Sequence, residues 1–327
     1  MAGGGHGSKA VVAALLANLG IAVAKLIGFA ITGSAAMMAE AIHSIADSGN
    51  QCLLLLGGHR ARRDADDEHP FGYGRERYFW AFVVALVLFS LGGAFAIFEG
   101  VEKIRHPHHL ESAGVAIAIL LVAIGLESYS FRTAIVESNK LRDGATWWQF
   151  IRRSKNPELP VVLLEDLGAE VGLLIALTAI SASIVTDDPI YDGIGTLLIG
   201  LLLSGIAVIL AIEMKSLLVG ETADPKVQAT IRTCIEDEPD VDRLIHLRTQ
   251  HLGPDELLIG AKVSFVDGLS IAELAAAVNR VEANVRQSVP EARVMYVEPD
   301  LVGPEPPANP LTPPLARTRT QGHGGGT

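Results

Sequence analysis

With 327 residues, 49% of them hydrophobic, and a mean hydropathy of +0.35, the chain is too apolar for one ordinary soluble domain of this size. Its formal charge of -11 argues against nucleic-acid binding and says little about other partners, since much of the acid sits towards the C-terminus. Cys52 falls in an apolar run and Cys234 in a polar region, and there is no CxxC, so neither a structural disulfide nor a thiolate metal motif is expected.

Six runs approach or exceed the roughly 20 residues that cross a hydrocarbon core: 10–31, 35–58, 80–98, 114–131, 159–185 and 193–212. The first follows Lys9 as a signal peptide would, but it continues past Asn18 and Lys25 and five more runs follow, so it is read as a mature helix. Arg60, Arg62, Arg63, Arg75 and Arg77 fill the loop after the second run. Arg132, Lys140, Arg142, Arg152, Arg153 and Lys155 fill the loop after the fourth, against only Lys103 and Arg105 on the opposite side. Positive loops are retained on the cytoplasmic side. The expectation is therefore an integral, multi-pass protein of the cell membrane with both termini cytoplasmic.

Beyond Gly220 the uniform apolarity gives way to amphipathic periodicity. Asp224-Pro225 reads as an N-cap and first helical position, opening a helix to about Asp237. Runs 241–252 and 256–266 flank the turn Gly253-Pro254-Asp255 and predict a hairpin, its second strand alternating Ile259, Ala261, Val263 and Phe265 against Gly260, Lys262 and Ser264. Ser270-Ile271-Ala272-Glu273 is a capping box for a helix to about Ser288, and 293–297 gives a last short strand. The fold class is an α-helical membrane protein of six transmembrane helices followed by a cytoplasmic α+β domain of ferredoxin-like type. The domain boundaries are 1–217 for the membrane part, 218–302 for the α+β domain and 303–327 for a Pro/Gly-rich tail expected to be disordered.

Ionisable side chains inside a hydrocarbon span cost about 2.5–3.5 kcal/mol each on insertion scales, so those present face an internal cavity or one another. His43 and Asp47 lie four apart in the second run, and Asp166 and Glu170 repeat that spacing in the fifth. Each pair presents its two groups one turn apart, about 6 Å between Cβ atoms. One such pair alone fits an interhelical hydrogen bond equally well. Two pairs on facing helices make a four-ligand N/O site for a divalent cation. Glu165 points about 100° away from Asp166 and reads as a supporting group. Lys25 reads either as a partner for a carboxylate or as a snorkelling side chain, and Glu127 as interfacial.

Three stretches carry a family likeness: Thr32-Gly33-Ser34, Ala39-Glu40-Ala41-Ile42-His43-Ser44-Ile45-Ala46-Asp47-Ser48, and His69-Pro70-Phe71-Gly72-Tyr73-Gly74-Arg75. On these the chain resembles the cation diffusion facilitator family, from about Asn18 to Asp300. The resemblance implies a homodimer and metal/proton antiport by alternating access. It also implies that His43 and Asp47 are the second-helix ligands and Asp166 a fifth-helix ligand. Val162 stands where the family usually has a second His, so the likeness is to a branch lacking the fifth-helix His, with Glu170 as the replacement ligand. In the family's secondary site, Asp66 and His69 match two ligands while Tyr73 replaces a His, which favours a structural or coupling role for that turn. The family's metal positions in the soluble domain are held by Ile245, Ala275 and Val297, and the nearby His246, His251 and Asp255 read as surface side chains.

The expected function is export of a divalent metal from the cytoplasm by proton antiport. Zinc is the first candidate, and manganese, iron and cobalt are alternatives because carboxylates harden the site. Metal binding needs neutral imidazole and ionised carboxylates, so it releases protons. No enzyme activity and no cofactor are expected: the metal is cargo, and there is no GxxxxGK phosphate loop. The partners are divalent metal ions, protons and the lipid bilayer. The competing reading is a membrane-anchored metal sensor that binds ion without transport.

Overall fold

The computed structural model describes residues 19–107, 113–142 and 144–301. The start of the first predicted span and the tail 303–327 lie outside the described residues. The chain divides into two compact units, one holding the helices as far as Gln228 and the other most of the residues beyond.

Helix α1 (Leu19–Thr32) stops where Gly33 takes φ +63, a left-handed conformation that glycine adopts without a Cβ clash. Ser34 then caps α2 (Ala35–Arg60), its Oγ accepting from Met37 N at 3.2 Å. The chain continues as α3 (Glu76–Arg105), α4 (Ala113–Arg142), the short α5 (Trp147–Arg153), α6 (Glu158–Thr186) and α7 (Ile190–Val219). Among the described residues four helices are long and apolar enough to cross a membrane: α3, α4, α6 and α7. Six such spans are expected from the sequence. The difference lies in α1, described only from Leu19, and in α2, where Glu40, His43, Asp47, Asn50 and Gln51 dilute an otherwise apolar helix of 26 residues.

Helix α2 packs against α3, α6 and α7, with α4 against α6 and α3 against α7. The distribution of polarity is the reverse of a soluble protein's. Phe98, Val122, Tyr129, Val185 and Ile212 are exposed, whereas Lys25, Glu40, His43, Asn50, Glu165 and Asp192 are buried. That arrangement suits a lipid exterior, where apolar side chains cost nothing and polar ones must find partners inside.

Two features were not anticipated from the sequence. One turn-and-a-half of α3, Leu88–Ala94, is π-helical, and it contains Gly92 and Gly93. The sequence also gives only a basic loop where α5 forms, opened by a Thr146/Gln149 capping box; Arg142 stacks on Trp147 at 4.4 Å.

Small residues bring α3 and α7 into close approach. A Cβ on Gly100 would lie 2.5 Å from Leu197 N, and one on Gly200 2.6 Å from Ile97 N, both against backbone that cannot rotate away.

The C-terminal elements are α8 (Pro225–Glu236), β1 (Val241–Gly253), β2 (Glu256–Phe265), α9 (Ile271–Ser288) and β3 (Val294–Pro299), with sheet order β1-β2-β3. Leu257 N donates to Glu291 O and Asp300 N to Val263 O, so β2 and β3 run parallel, joined by α9. Ile259, Ala261 and Val263 are buried as their alternation predicts, together with Ile231, Ile235, Ala277, Val281 and Val285 of the two helices. Phe265 is only half-buried and Ser264 is buried instead, because the alternation breaks at the strand's end. The predicted capping box is present: Ser270 N donates to Glu273 Oε2 at 2.8 Å and Glu273 N to Ser270 Oγ at 3.3 Å. Cys52 and Cys234 are both free thiols.

Gly100→Ala is expected to lower stability by about 1–3 kcal/mol through overpacking, while Gly205→Ala, whose added Cβ meets nothing within 4 Å, leaves it unchanged. Thermal unfolding of the two variants in the same detergent separates these outcomes.

Candidate metal centre

The polar face of α2 begins at its N-terminal end. Asp192, at the start of α7, accepts from Ser34 Oγ at 2.7 Å and from Ala35 N at 2.9 Å, while Lys103 of α3 donates to Gly33 O at 3.3 Å. The Thr32-Gly33-Ser34 stretch is therefore a clasp: Thr32 Oγ1 closes α1 onto Gly28 O at 2.7 Å, and Ser34 opens α2. One and a half turns further along, Glu40 is wholly buried and receives Lys25 Nζ at 3.2 Å, and the same ammonium donates to Ser44 Oγ at 2.8 Å. Lys25 is thus the partner of a carboxylate, not a snorkelling side chain. Gly172 of α6 leaves room for Glu40, since a Cβ there would lie 2.5 Å from Glu40 Oε1.

Next come His43 and Asp47, with Nε2 and Oδ2 3.5 Å apart. Neither imidazole nitrogen of His43 has a hydrogen-bond partner, nor does Asp47 Oδ1, although all are buried. Asn50 Nδ2 donates to Glu165 Oε1 at 2.6 Å, tying α2 directly to α6. Asn50 Oδ1, Gln51 Oε1 and Glu170 Oε2 are buried acceptors that also lack donors. Buried polar atoms left unpaired cost about 1–3 kcal/mol each, so such a concentration signals a site built to meet something other than protein.

The α6 carboxylates are engaged by α4. Ser130 Oγ donates to Asp166 Oδ2 at 3.1 Å and Ser128 Oγ to Glu170 Oε1 at 2.9 Å. Among the described residues no three His, Cys, Asp or Glu side chains draw close enough to hold one metal ion. The structure brings His43 and Asp47 together and places Glu165, Glu127 and Asp166 within electrostatic range of Asp47, together with Lys25. Glu127, read from the sequence as interfacial, is 7% exposed and feels both Lys25 and Glu170. Asn50, Gln51, Ser128 and Ser130 were missed by sequence reasoning. The two amides inside an apolar run were the available signal.

The turn after α2 is organised by Asp66. Its Oδ1 accepts from His69 N at 2.7 Å and from Glu68 N at 3.2 Å, and its Oδ2 from Tyr73 Oη at 2.7 Å. His69 packs on Tyr73 with ring centroids 4.4 Å apart, and Arg63 lies 4.2 Å over the same ring. With three protein donors on its carboxylate, Asp66 is committed to the turn, and His69 is held as part of it. In the C-terminal part, Asp255 is exposed and His246 half-buried, but His251 is 6% exposed, a correction to its reading as a surface group. Burial, with Lys155 adding, holds the His251 imidazole below its usual range.

An interior of buried polar groups on helices with apolar exteriors defines a multi-pass membrane protein. A profile of the cation efflux transmembrane domain matches residues 11–219, and the chain belongs to this cation diffusion facilitator family, one of transporters and not enzymes. The Xenopus laevis protein named proton-coupled zinc antiporter SLC30A9, mitochondrial, is 30% identical over 263 residues, covering 80% of this chain and 47% of the relative. Metal tolerance protein C4 of Arabidopsis thaliana is 31% identical over 265 residues, covering 80% and 57%. The zinc transporter ZitB of Pectobacterium atrosepticum is 27% identical over 252 residues, covering 77% and 74%. The chain spans about half the length of the first two relatives.

The hydrogen bond from Tyr73 holds the Asp66 carboxyl below its ordinary range, with backbone donation from His69 adding to it. A depressed folded pKa stabilises the turn at pH above the ordinary carboxylate value, and that contribution is lost as pH falls through the lowered one. Tyr73→Phe is expected to raise the Asp66 titration towards its ordinary value, so that the turn loosens at higher pH than in the parent. Carboxyl-carbon NMR titration of both proteins reads the shift directly.

Proposed function

We propose that the chain carries a divalent metal ion across the membrane, exporting it from the cytoplasm in exchange for protons, with zinc the first candidate and manganese, iron or cobalt the alternatives. The observation that carries this reading is the set of buried polar atoms without hydrogen-bond partners on two packed helices: both ring nitrogens of His43 and Oδ1 of Asp47 on α2, and Oε2 of Glu170 on α6. A cation satisfies such atoms where a protein donor does not. The names of the frog and bacterial relatives, a zinc antiporter and a zinc transporter, support the same cargo.

In this reading α1 and α2 complete a set of six spans, and the ion is held by His43, Asp47, Asp166 and Glu170. Loading exchanges the serine hydrogen bonds of Asp166 and Glu170 for the metal, which draws the α6 carboxylates from α4 towards α2. Glu165 stays with Asn50 and keeps the two helices in register. Because the ligands must be deprotonated to bind, a proton gradient directed inwards drives metal outwards. The protein acts as a homodimer in the cell membrane with both termini cytoplasmic; the frog relative's own name assigns that protein to mitochondria.

The test is metal flux into proteoliposomes with an inside-acid pH gradient, scanning zinc, manganese, iron and cobalt. Zinc is expected to accumulate, and Asp47→Ala and Asp166→Ala each to reduce accumulation at least about tenfold, the equivalent of about 1.4 kcal/mol of lost binding. Binding without accumulation supports the sensor instead. Flux indifferent to the gradient removes the antiport, and flux surviving both substitutions relocates the site.

A further inference from the structure

Lys25 and Glu40 stand beside the metal centre without being part of its ligand set. Both are 0% exposed, their ion pair spans α1 and α2 at 3.2 Å, and Ser44, which takes the ammonium's second hydrogen bond, directly follows His43. Glu40 Oε1 has no hydrogen-bond partner, and it sits against α6 where a Cβ at Gly172 would lie 2.5 Å from it. The Lys25 charge reaches His43, Asp47 and Glu127. A lysine at the surface would be screened by water and salt within a Debye length, whereas one enclosed in the bundle acts at lower effective dielectric.

We propose that the Lys25–Glu40 pair sets the affinity of the metal centre electrostatically, as a tethered cation and its counter-ion held one turn from His43. The inference rests on the placement of the metal at His43 and Asp47. Lys25 repels the arriving ion and Glu40 attracts it. Together they hold the centre at an affinity weak enough for the ion to leave on the far side, which transport requires as much as capture. Both are positioning residues: neither touches the ion.

The charges give the two single substitutions opposite signs. Lys25→Met leaves Glu40 uncompensated and is expected to tighten zinc binding, with a lower KM and a lower kcat. Glu40→Gln leaves Lys25 uncompensated and is expected to weaken binding. A unit charge acting on a divalent ion across the low-dielectric bundle makes each change on the order of tenfold or more. The double variant Lys25→Met with Glu40→Gln restores neutrality and is expected to bind zinc near the parent's affinity, and Lys25→Arg to resemble the parent.

The experiment is isothermal titration of zinc into the full chain in nanodiscs, with proteoliposome flux on the same preparations. Opposite shifts that cancel in the double variant bear the proposal out. Two single variants that both weaken binding reveal a merely structural pair, and two that leave it unchanged show that the charges do not reach the ion; either result overturns the proposal. If the parent binds no zinc, or Asp47→Ala leaves its affinity unaltered, the placement of the metal fails first and the proposal with it.

Discussion

Polar groups inside a helical bundle facing lipid must be satisfied from within, because the surroundings offer neither donors nor acceptors. Helix α2 brings in Glu40, His43, Asp47, Asn50 and Gln51, and each neighbouring helix supplies part of the answer. Lys25 comes from α1, Glu165 from α6 and Asp192 from α7. The two α6 carboxylates beyond them are met in turn by serines of α4. Other apolar side chains of these helices, such as Phe98, Val122, Val185 and Ile212, are left to face outwards. What remains unsatisfied after this exchange includes Glu40, His43, Asp47, Asn50 and Gln51 along α2 and Glu170 on α6, so the candidate site is a remainder of the packing problem and not an addition to it.

Much of the fold was legible in the sequence because it depends on local rules. The capping box at Ser270, the hairpin around Gly253-Pro254-Asp255 and the start of α8 at Pro225 all formed where short-range signals put them. The π segment of α3 was not legible, since Leu88–Ala94 is as apolar as the helix around it; the shift in hydrogen bonding lies among glycines packed on α7. Helix α5 was hidden for a different reason. Its Trp and Arg residues read as a charged loop until Phe150 and Ile151 are seen to be buried.

For the site, the i,i+4 spacing indicated which face of a helix each pair occupies, and His43 and Asp47 do meet. Spacing does not indicate which neighbour a side chain chooses. The α6 pair is turned to α4 by Ser128 and Ser130, and Glu165, one residue away from Asp166, is the group that reaches α2. Partner choice of this kind depends on rotamers and on the rotation of one helix about another, neither of which leaves a periodic trace. The burial of Lys25 had the same character: the residue was visible, but only its three-dimensional neighbours distinguish an internal ion pair from a side chain reaching for the membrane surface.

The clasp at Gly33 has a mechanical consequence. Asp192 and Lys103 hold the N-terminal end of α2 to α7 and α3 by hydrogen bonds, whereas at its far end Arg60 stacks over the Trp80 ring of α3, 5.4 Å from its centroid. A rod pinned at one end behaves as a lever, with displacement growing in proportion to distance from the pivot. At 1.5 Å per residue, His43 lies roughly 12 Å from Ala35 and Arg60 roughly 37 Å. Any tilt of α2 is therefore magnified about threefold between the imidazole and the basic turn at the helix's far end. A small adjustment around His43 becomes a much larger excursion of the loop that carries Asp66.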